Sequence, residues 1–108
     1  MRNGIIPQDL IDRAAAMLLQ AAPAGSEVIL FGSYARGDAG PESDLDFLVV
    51  EPVLGGQRSE MVRLREVLRP LKVPADVLVV SREGFDAWKD KINNVVYEAA
   101  REGRRYAA

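Results

Sequence analysis

The sequence predicts an α/β (α+β) fold: a small mixed sheet of three to four strands, flanked by helices. Two observations carry that expectation. Val28 to Phe31, Ser43 to Glu51 and Ala75 to Val80 are short runs rich in Val, Leu, Ile and Phe, each set off by glycine, proline or turn residues. Between and around them lie stretches whose apolar residues recur at helical spacing. No repeat, low-complexity tract or linker interrupts the pattern, so residues 1–108 are expected to form one domain, long enough for a real core.

Taken in order, residues 1–6 read as a loose lead-in. Pro7 suits a first helical turn, where its missing N–H costs nothing. Leu10, Ala14, Met17, Leu18 and Ala21 then give an amphipathic helix over 7–22, ended by Pro23 and Gly25. Val28 to Phe31 is a central strand stopped by Gly32. Tyr34 to Gly37 has room for one helical turn, and Asp38 to Glu42 is a turn-rich loop whose charges face water. In the second strand, Ser43 to Glu51, Asp44, Asp46, Leu48 and Val50 share one face, and Leu45, Phe47 and Val49 share the other. Pro52 to Gly56 breaks the chain. Met61, Leu64, Leu68 and Leu71 form a second helical stripe, with Arg58, Arg63, Arg65 and Arg69 on its solvated side. Pro74 forces extended backbone into the third strand, Ala75 to Val80. Ser81 is a natural helix cap with Glu83 behind it. Phe85, Trp88, Ile92, Val95 and Ala99 continue as a helical stripe, broken near Asn93-Asn94 and stopped at Gly103. Trp88 is expected in the core or an interface. Arg104 to Tyr106 would supply an edge strand.

Composition removes several chemistries. The chain has no cysteine and no histidine, so disulfides, thiol nucleophiles and imidazole bases are excluded, and a zinc site with them. Net charge is −2, which offers no general basic field for nucleic acid. No apolar run reaches the ~20 residues of a membrane span. No secretory signal pattern opens the chain, and a cytoplasmic location is expected.

What remains is a carboxylate site. Asp44-x-Asp46 places two carboxylates on one face of a strand, about 7 Å apart along the chain. Such a pair repels itself unless a cation lies between. Hard oxygen ligands suit Mg²⁺, which takes one or two carboxylates and fills its other positions with water and phosphate oxygens. Gly32 lets backbone amides approach an anion, and Ser33 adds a donor. If the second and third strands are parallel and the first is antiparallel to the second, Gly32-Ser33, Asp44, Asp46 and Asp76 meet at one end of the sheet. That equipment suits phosphoryl or nucleotidyl transfer. Neither a P-loop nor a dinucleotide fingerprint is present. Tyr34, Tyr97 and Tyr106 are available to stack on a base.

Gly32-Ser33, Arg36-Gly37 and Asp44-x-Asp46 resemble the signature of the DNA polymerase beta nucleotidyltransferase superfamily, over Val28 to about Val80, with a weaker likeness from Glu102-Gly103 to Tyr106. In its length the chain is similar to the minimal nucleotidyltransferases (MNT), which are often paired with HEPN-domain proteins. The resemblance implies the polymerase-beta-like nucleotidyltransferase fold, Mg²⁺ as cofactor and ATP as substrate. It implies Asp44 and Asp46 as metal ligands and Asp76 as a third carboxylate, either ligand or base. Gly32 and Ser33 would hold the triphosphate, with Arg36 as a phosphate contact. Larger members carry extra domains for their acceptors. Here the acceptor is expected from a partner, a HEPN ribonuclease toxin whose tyrosine is AMPylated, which would make the chain an antitoxin in a hetero- or homo-oligomer. Three other readings compete: a non-catalytic antitoxin acting by contact, a nucleotidyltransferase subunit for a small, aminoglycoside-like acceptor, and a structural domain whose aspartates are surface turns. Intact Gly32, Ser33, Asp44 and Asp46 favour the enzyme.

Overall fold

The computed structural model describes residues 5–107. Helix α1 (Gln8–Ala21) begins where the Pro7 carbonyl accepts the amides of Leu10 and Ile11, both at 3.1 Å. Pro7 is therefore the cap, one position before the helix. Ile11, Ala14, Ala15 and Leu18 are its buried stripe. After a turn at Gly25 come β1 (Glu27–Phe31), a single helical turn α2 (Ser33–Arg36) and β2 (Leu45–Glu51). Helix α3 (Gln57–Val67) and a short 3₁₀ turn lead to β3 (Ala75–Ser81). Helices α4 (Arg82–Trp88) and α5 (Val95–Glu102) precede the edge strand β4 (Arg104–Ala107).

The sheet order is β3-β2-β1-β4. Strand β1 is antiparallel to both β2 and β4, while β2 and β3 are parallel. This is the mixed sheet the sequence predicts, with Arg104–Ala107 as the fourth strand. The parallel pair follows from the α3 crossover, and the antiparallel pair from the turn after β1.

Each face has its own helical layer. Leu45, Phe47 and Val49 face α1 and α3 and share a cluster with Leu18 and Leu64. Leu48 and Val50 face the other way, against Phe85 of α4 and Val96 and Ala99 of α5. Alternation along β2 thus sets two cores, both built from side chains of one strand.

Besides Pro7, four details differ from the sequence expectation. Strand β2 begins at Leu45 rather than Ser43. A closed turn holds the preceding loop, because the Ser43 hydroxyl accepts the Gly40 amide at 2.9 Å and the Ser43 amide donates to the Gly40 carbonyl at 3.1 Å. The first ladder bond is Leu45 N–H to Pro74 carbonyl, 2.9 Å. Asp44 therefore sits at the strand's mouth, where strand alternation no longer fixes its direction. The lead-in expected to be loose over 1–6 is held at Ile6. Residues 1–4 lie outside the described residues, but Ile6 is buried and its amide donates to the Tyr34 hydroxyl at 3.0 Å. The helical turn starts at Ser33, since the Gly32 carbonyl accepts the amides of Ala35 and Arg36. Trp88 is 51% exposed and so is not a core residue.

The break between α4 and α5 falls at the two asparagines. Asn94 caps α5 by accepting the Tyr97 amide at 3.0 Å, and Asn93 has a left-handed φ of 67°. Ser81 caps α4, accepting the Gly84 amide at 3.0 Å. No described helix is long and apolar enough to cross a membrane.

Candidate functional site

The last residue of β1, Phe31, is paired with Asp46 of β2. The next residue is Gly32, with φ 77° and ψ −157°. That conformation belongs almost entirely to glycine. The lack of a side chain serves a second purpose, because a Cβ at Gly32 would overlap Asp46 Oδ2 and stand 3.2 Å from Asp46 Cγ. The Asp46 carboxylate therefore rests directly over the bare backbone of the turn. Ser33 and the α2 turn follow at once.

Asp46 is also the register partner of Asp76 on β3. Partners on neighbouring strands project from the same face, so the two carboxylates stand side by side. Asp46 is half-buried, while Asp76 and Asp44 are exposed. Burial foremost, then the charges of Asp76 and Asp44, raises the Asp46 pKa above its ordinary value. Glu98 of α5 adds to that repulsion, and Arg36 partly offsets it. Among the described residues, no three carboxylates are gathered closely enough to hold a metal ion unaided.

Arg36 ends α2 in a cage of acids. Its Nε lies 3.3 Å from Asp38 Oδ2, and its Nη1 lies 3.4 Å from Glu98 Oε2 and 3.8 Å from Glu102 Oε1. Arg36 is thus engaged by side chains rather than directed at the Gly32 turn. Of the three tyrosines, Tyr34 is buried and holds Ile6, and Tyr106 donates to Asp12 Oδ1 at 3.0 Å. Tyr97 borders an open cavity of about 510 Å³, whose wall includes Asn93, Val95, Glu98, Arg101 and Glu102.

Two carboxylate features escape sequence reasoning. Glu98 and Glu102 lie one helical turn apart on α5 and face Arg36. Their spacing is visible in the sequence, but only the packing of α5 on β1 and β2 brings them to the site. Glu51 is 2% exposed at the far end of β2, and its Oε2 has no hydrogen-bond partner. It falls on the core face with Leu45, Phe47 and Val49, so an acid in an apolar alternation was the available signal.

A family model described as a nucleotidyltransferase domain matches residues 11–102. Among solved structures, a protein from Sulfolobus solfataricus assigned to the nucleotidyltransferases aligns with a TM-score of 0.58 at 27% identity, covering 76% of this chain and 73% of its own. A structure of a toxin–antitoxin with AMP-PNP aligns with a TM-score of 0.61 at 17% identity, covering 95% of this chain and 75% of its own. At that identity the likeness concerns the fold. The mixed sheet with its helical layers is the polymerase-beta-like nucleotidyltransferase fold. Comparison with curated proteins gives no significant match.

Proposed function

Because the chain belongs to the nucleotidyltransferase domain family, we propose that it transfers AMP from Mg·ATP to a hydroxyl acceptor, a tyrosine of a partner HEPN ribonuclease toxin. The observation that carries the site assignment is the seat of Asp46, over the bare backbone of Gly32 and beside Asp76. It puts a metal-type carboxylate pair against an amide-bearing turn.

The donor set fits a hard divalent cation. Asp46 is half-buried among like charges, which a cation would relieve. Among the described residues no three acids are gathered closely enough to hold an ion by themselves, so water and phosphate oxygens would have to complete its coordination. Asp46 and Asp76, with Asp44, would hold Mg²⁺, whose chemistry there is to neutralise the triphosphate.

The chain's own residues supply positioning. The Gly32-Ser33 turn orients the β- and γ-phosphates with backbone N–H groups and the Ser33 hydroxyl. Arg36 reaches a phosphate by giving up its contacts with Glu98 and Glu102. Asp76 holds the metal or takes the acceptor's proton. The acceptor oxygen forms a bond to the α-phosphorus, the bond between that phosphorus and the bridging oxygen breaks, and pyrophosphate leaves with the electron pair.

The fold likeness to a toxin–antitoxin complex with AMP-PNP supports a protein acceptor and an adenine nucleotide. The test is a mass-spectrometric transfer assay with Mg·ATP and the product of the adjacent gene. An AMP added to a partner tyrosine, lost when Asp44→Ala and Asp46→Ala are combined, is the expected result. That double variant should stay folded, and without metal it should be no less stable than the parent, since it removes repelling charges. A tight complex without added mass for any nucleoside triphosphate would instead make the protein an antitoxin that acts by contact.

A further inference from the structure

On the sheet face that carries Asp46, α5 buries Val96 and Ala99 against Phe31, Leu48 and Val50. The flank of α5 beside that buried stripe carries Glu98 and Glu102, both bound to Arg36 at the end of the turn that follows Gly32-Ser33. The cavity of about 510 Å³ lined by Tyr97, Glu98, Arg101 and Glu102 therefore opens beside the carboxylate end of the sheet. It is of the size that binding pockets usually have.

An apolar shoulder adjoins it. Trp88 at the end of α4 is 51% exposed, Ile92 in the connection 67%, and Val95 at the start of α5 37%. Val95 and Asn94 line the cavity, and the Asn94 side-chain amide donates to the Trp88 carbonyl at 3.3 Å, which ties the end of α4 to the cavity's rim. Lys91 lies 4.7 Å from the centre of the Trp88 ring, yet the tryptophan keeps half its surface in water. Exposed apolar groups clustered at a cavity's rim mark contact surfaces, and tryptophan is the commonest strong anchor in them. A small acceptor held inside the cavity would have no use for them.

Charge narrows the occupant further. Five acids, Glu98 and Glu102 on the wall and Asp44, Asp46 and Asp76 at the adjoining sheet end, stand against three basic groups: Arg36, which Glu98 and Glu102 share with Asp38, Arg101 on the wall and Lys91 over Trp88. An acidic mouth repels a nucleic-acid end and attracts a basic segment.

Building on the reaction proposed above, we infer that this cavity and shoulder are the acceptor's docking surface. Its occupant is a protein segment that presents a hydroxyl side chain between an apolar anchor and a basic residue. The anchor packs on Trp88 and Ile92. The basic residue meets Glu98 and Glu102, and the hydroxyl is carried to the carboxylate end.

The test uses the full chain, Mg·ATP labelled at the α-phosphate, and two probes. One is a set of short synthetic peptides with a single Tyr, Ser or Thr flanked by Leu and Arg or by Leu and Glu. The other is an RNA oligonucleotide with a free 3′-hydroxyl. Peptides with an Arg flank should be labelled in preference to those with a Glu flank, and the RNA should stay unlabelled. Combining Trp88→Ala and Ile92→Ala should lower kcat/KM for the peptides roughly tenfold or more, with the Mg·ATP dissociation constant unchanged by calorimetry. Equal labelling by the variant, labelling of the RNA alone, or no peptide labelled while Mg·ATP binds would each overturn the inference. So would a loss of Mg·ATP affinity in the variant, which would give the cavity to the nucleoside. If the parent protein does not bind Mg·ATP at all, the reading of the reaction fails first and takes the docking surface with it.

Discussion

Replacing Gly32 with alanine should cost the protein both stability and nucleotide binding. With φ 77° and ψ −157°, the residue occupies a region where an L side chain costs about 1–3 kcal/mol. The new Cβ would also overlap Asp46 Oδ2 and crowd Asp46 Cγ at 3.2 Å. Turning Asp46 away from its rotamer adds about 0.5–1.5 kcal/mol. Together these amount to roughly 2–4 kcal/mol, and at several degrees per kcal/mol for a small domain the melting temperature should fall by about 10–20 °C. Gly37 is the internal control. Its φ is 87°, but a Cβ there would meet nothing within 4 Å, so Gly37→Ala should cost only the left-handed strain of about 1–2 kcal/mol. Thermal unfolding by circular dichroism compares the two variants. Titration calorimetry with Mg·ATP should show binding lost in Gly32→Ala and retained in Gly37→Ala. Equal losses of stability in both variants, or intact nucleotide binding in Gly32→Ala, would refute the seat of Asp46 over the turn.

Two further outcomes follow from groups remote from the reaction. Burial, then contact with Glu60, pushes the Glu51 carboxyl up from 4.5 to about 7, while Arg63 first and then Glu51 hold Glu60 down at about 2. Because the folded value of Glu51 is raised, its stabilisation is full below pH 4.5 and is lost as pH rises to about 7, by up to ~3 kcal/mol. Glu60 acts in the opposite sense, adding stability as pH rises from about 2 to 4.5. The pair shares its titration, so urea midpoints against pH should peak near 4.5, and Glu51→Gln should flatten the limb above it; an unchanged slope in that variant would refute the coupling. Tyr34→Phe removes the acceptor of the buried Ile6 amide, 3.0 Å away, and should cost about 1–3 kcal/mol by urea unfolding, where a loss near zero would mean the amide finds water.

Periodicity carried most of the fold into view. The alternation from Leu45 to Val50 placed both cores, and the helix between the second and third strands fixed their parallel pairing. The meeting of Gly32, Asp46 and Asp76 at one end of the sheet was legible for the same reason, since strand ends and pairing sense follow from pattern and connection length. The position of Asp44 was not. It depends on how far the Gly40–Ser43 turn holds the chain back, through two hydrogen bonds that have no periodic signature. The acids around Arg36 were hidden too, because Glu98 and Glu102 arrive from more than sixty positions away, on a helix whose angle to the sheet is set by packing. For Trp88, expected in the core or an interface, the helical stripe alone could not choose; the cap at Asn94 starts a new helix, and the end of α4 stays in water, which removes the core reading.

The open arrangement of the acids has a consequence for how the ligands would bind. If Asp44, Asp46 and Asp76 hold the metal as proposed, the ion alone would meet carboxylates that no closed cage preorganises, and its affinity should be low. The triphosphate alone would meet the same carboxylates as an anion, with Arg36 still tied to Asp38, Glu98 and Glu102, and it should bind weakly too. Each partner supplies what the other lacks. The metal would offset the like charges that, after burial, raise the Asp46 pKa, and the phosphates would complete its coordination and compete for Arg36. Binding must then be mutual, because any factor by which Mg²⁺ tightens ATP is the factor by which ATP tightens Mg²⁺. A site built this way would fill only weakly with either ligand by itself. Titrations of ATP with and without Mg²⁺, and of Mg²⁺ with and without ATP, should return equal factors well above one. Independent binding of the two would remove the carboxylates from the metal's coordination.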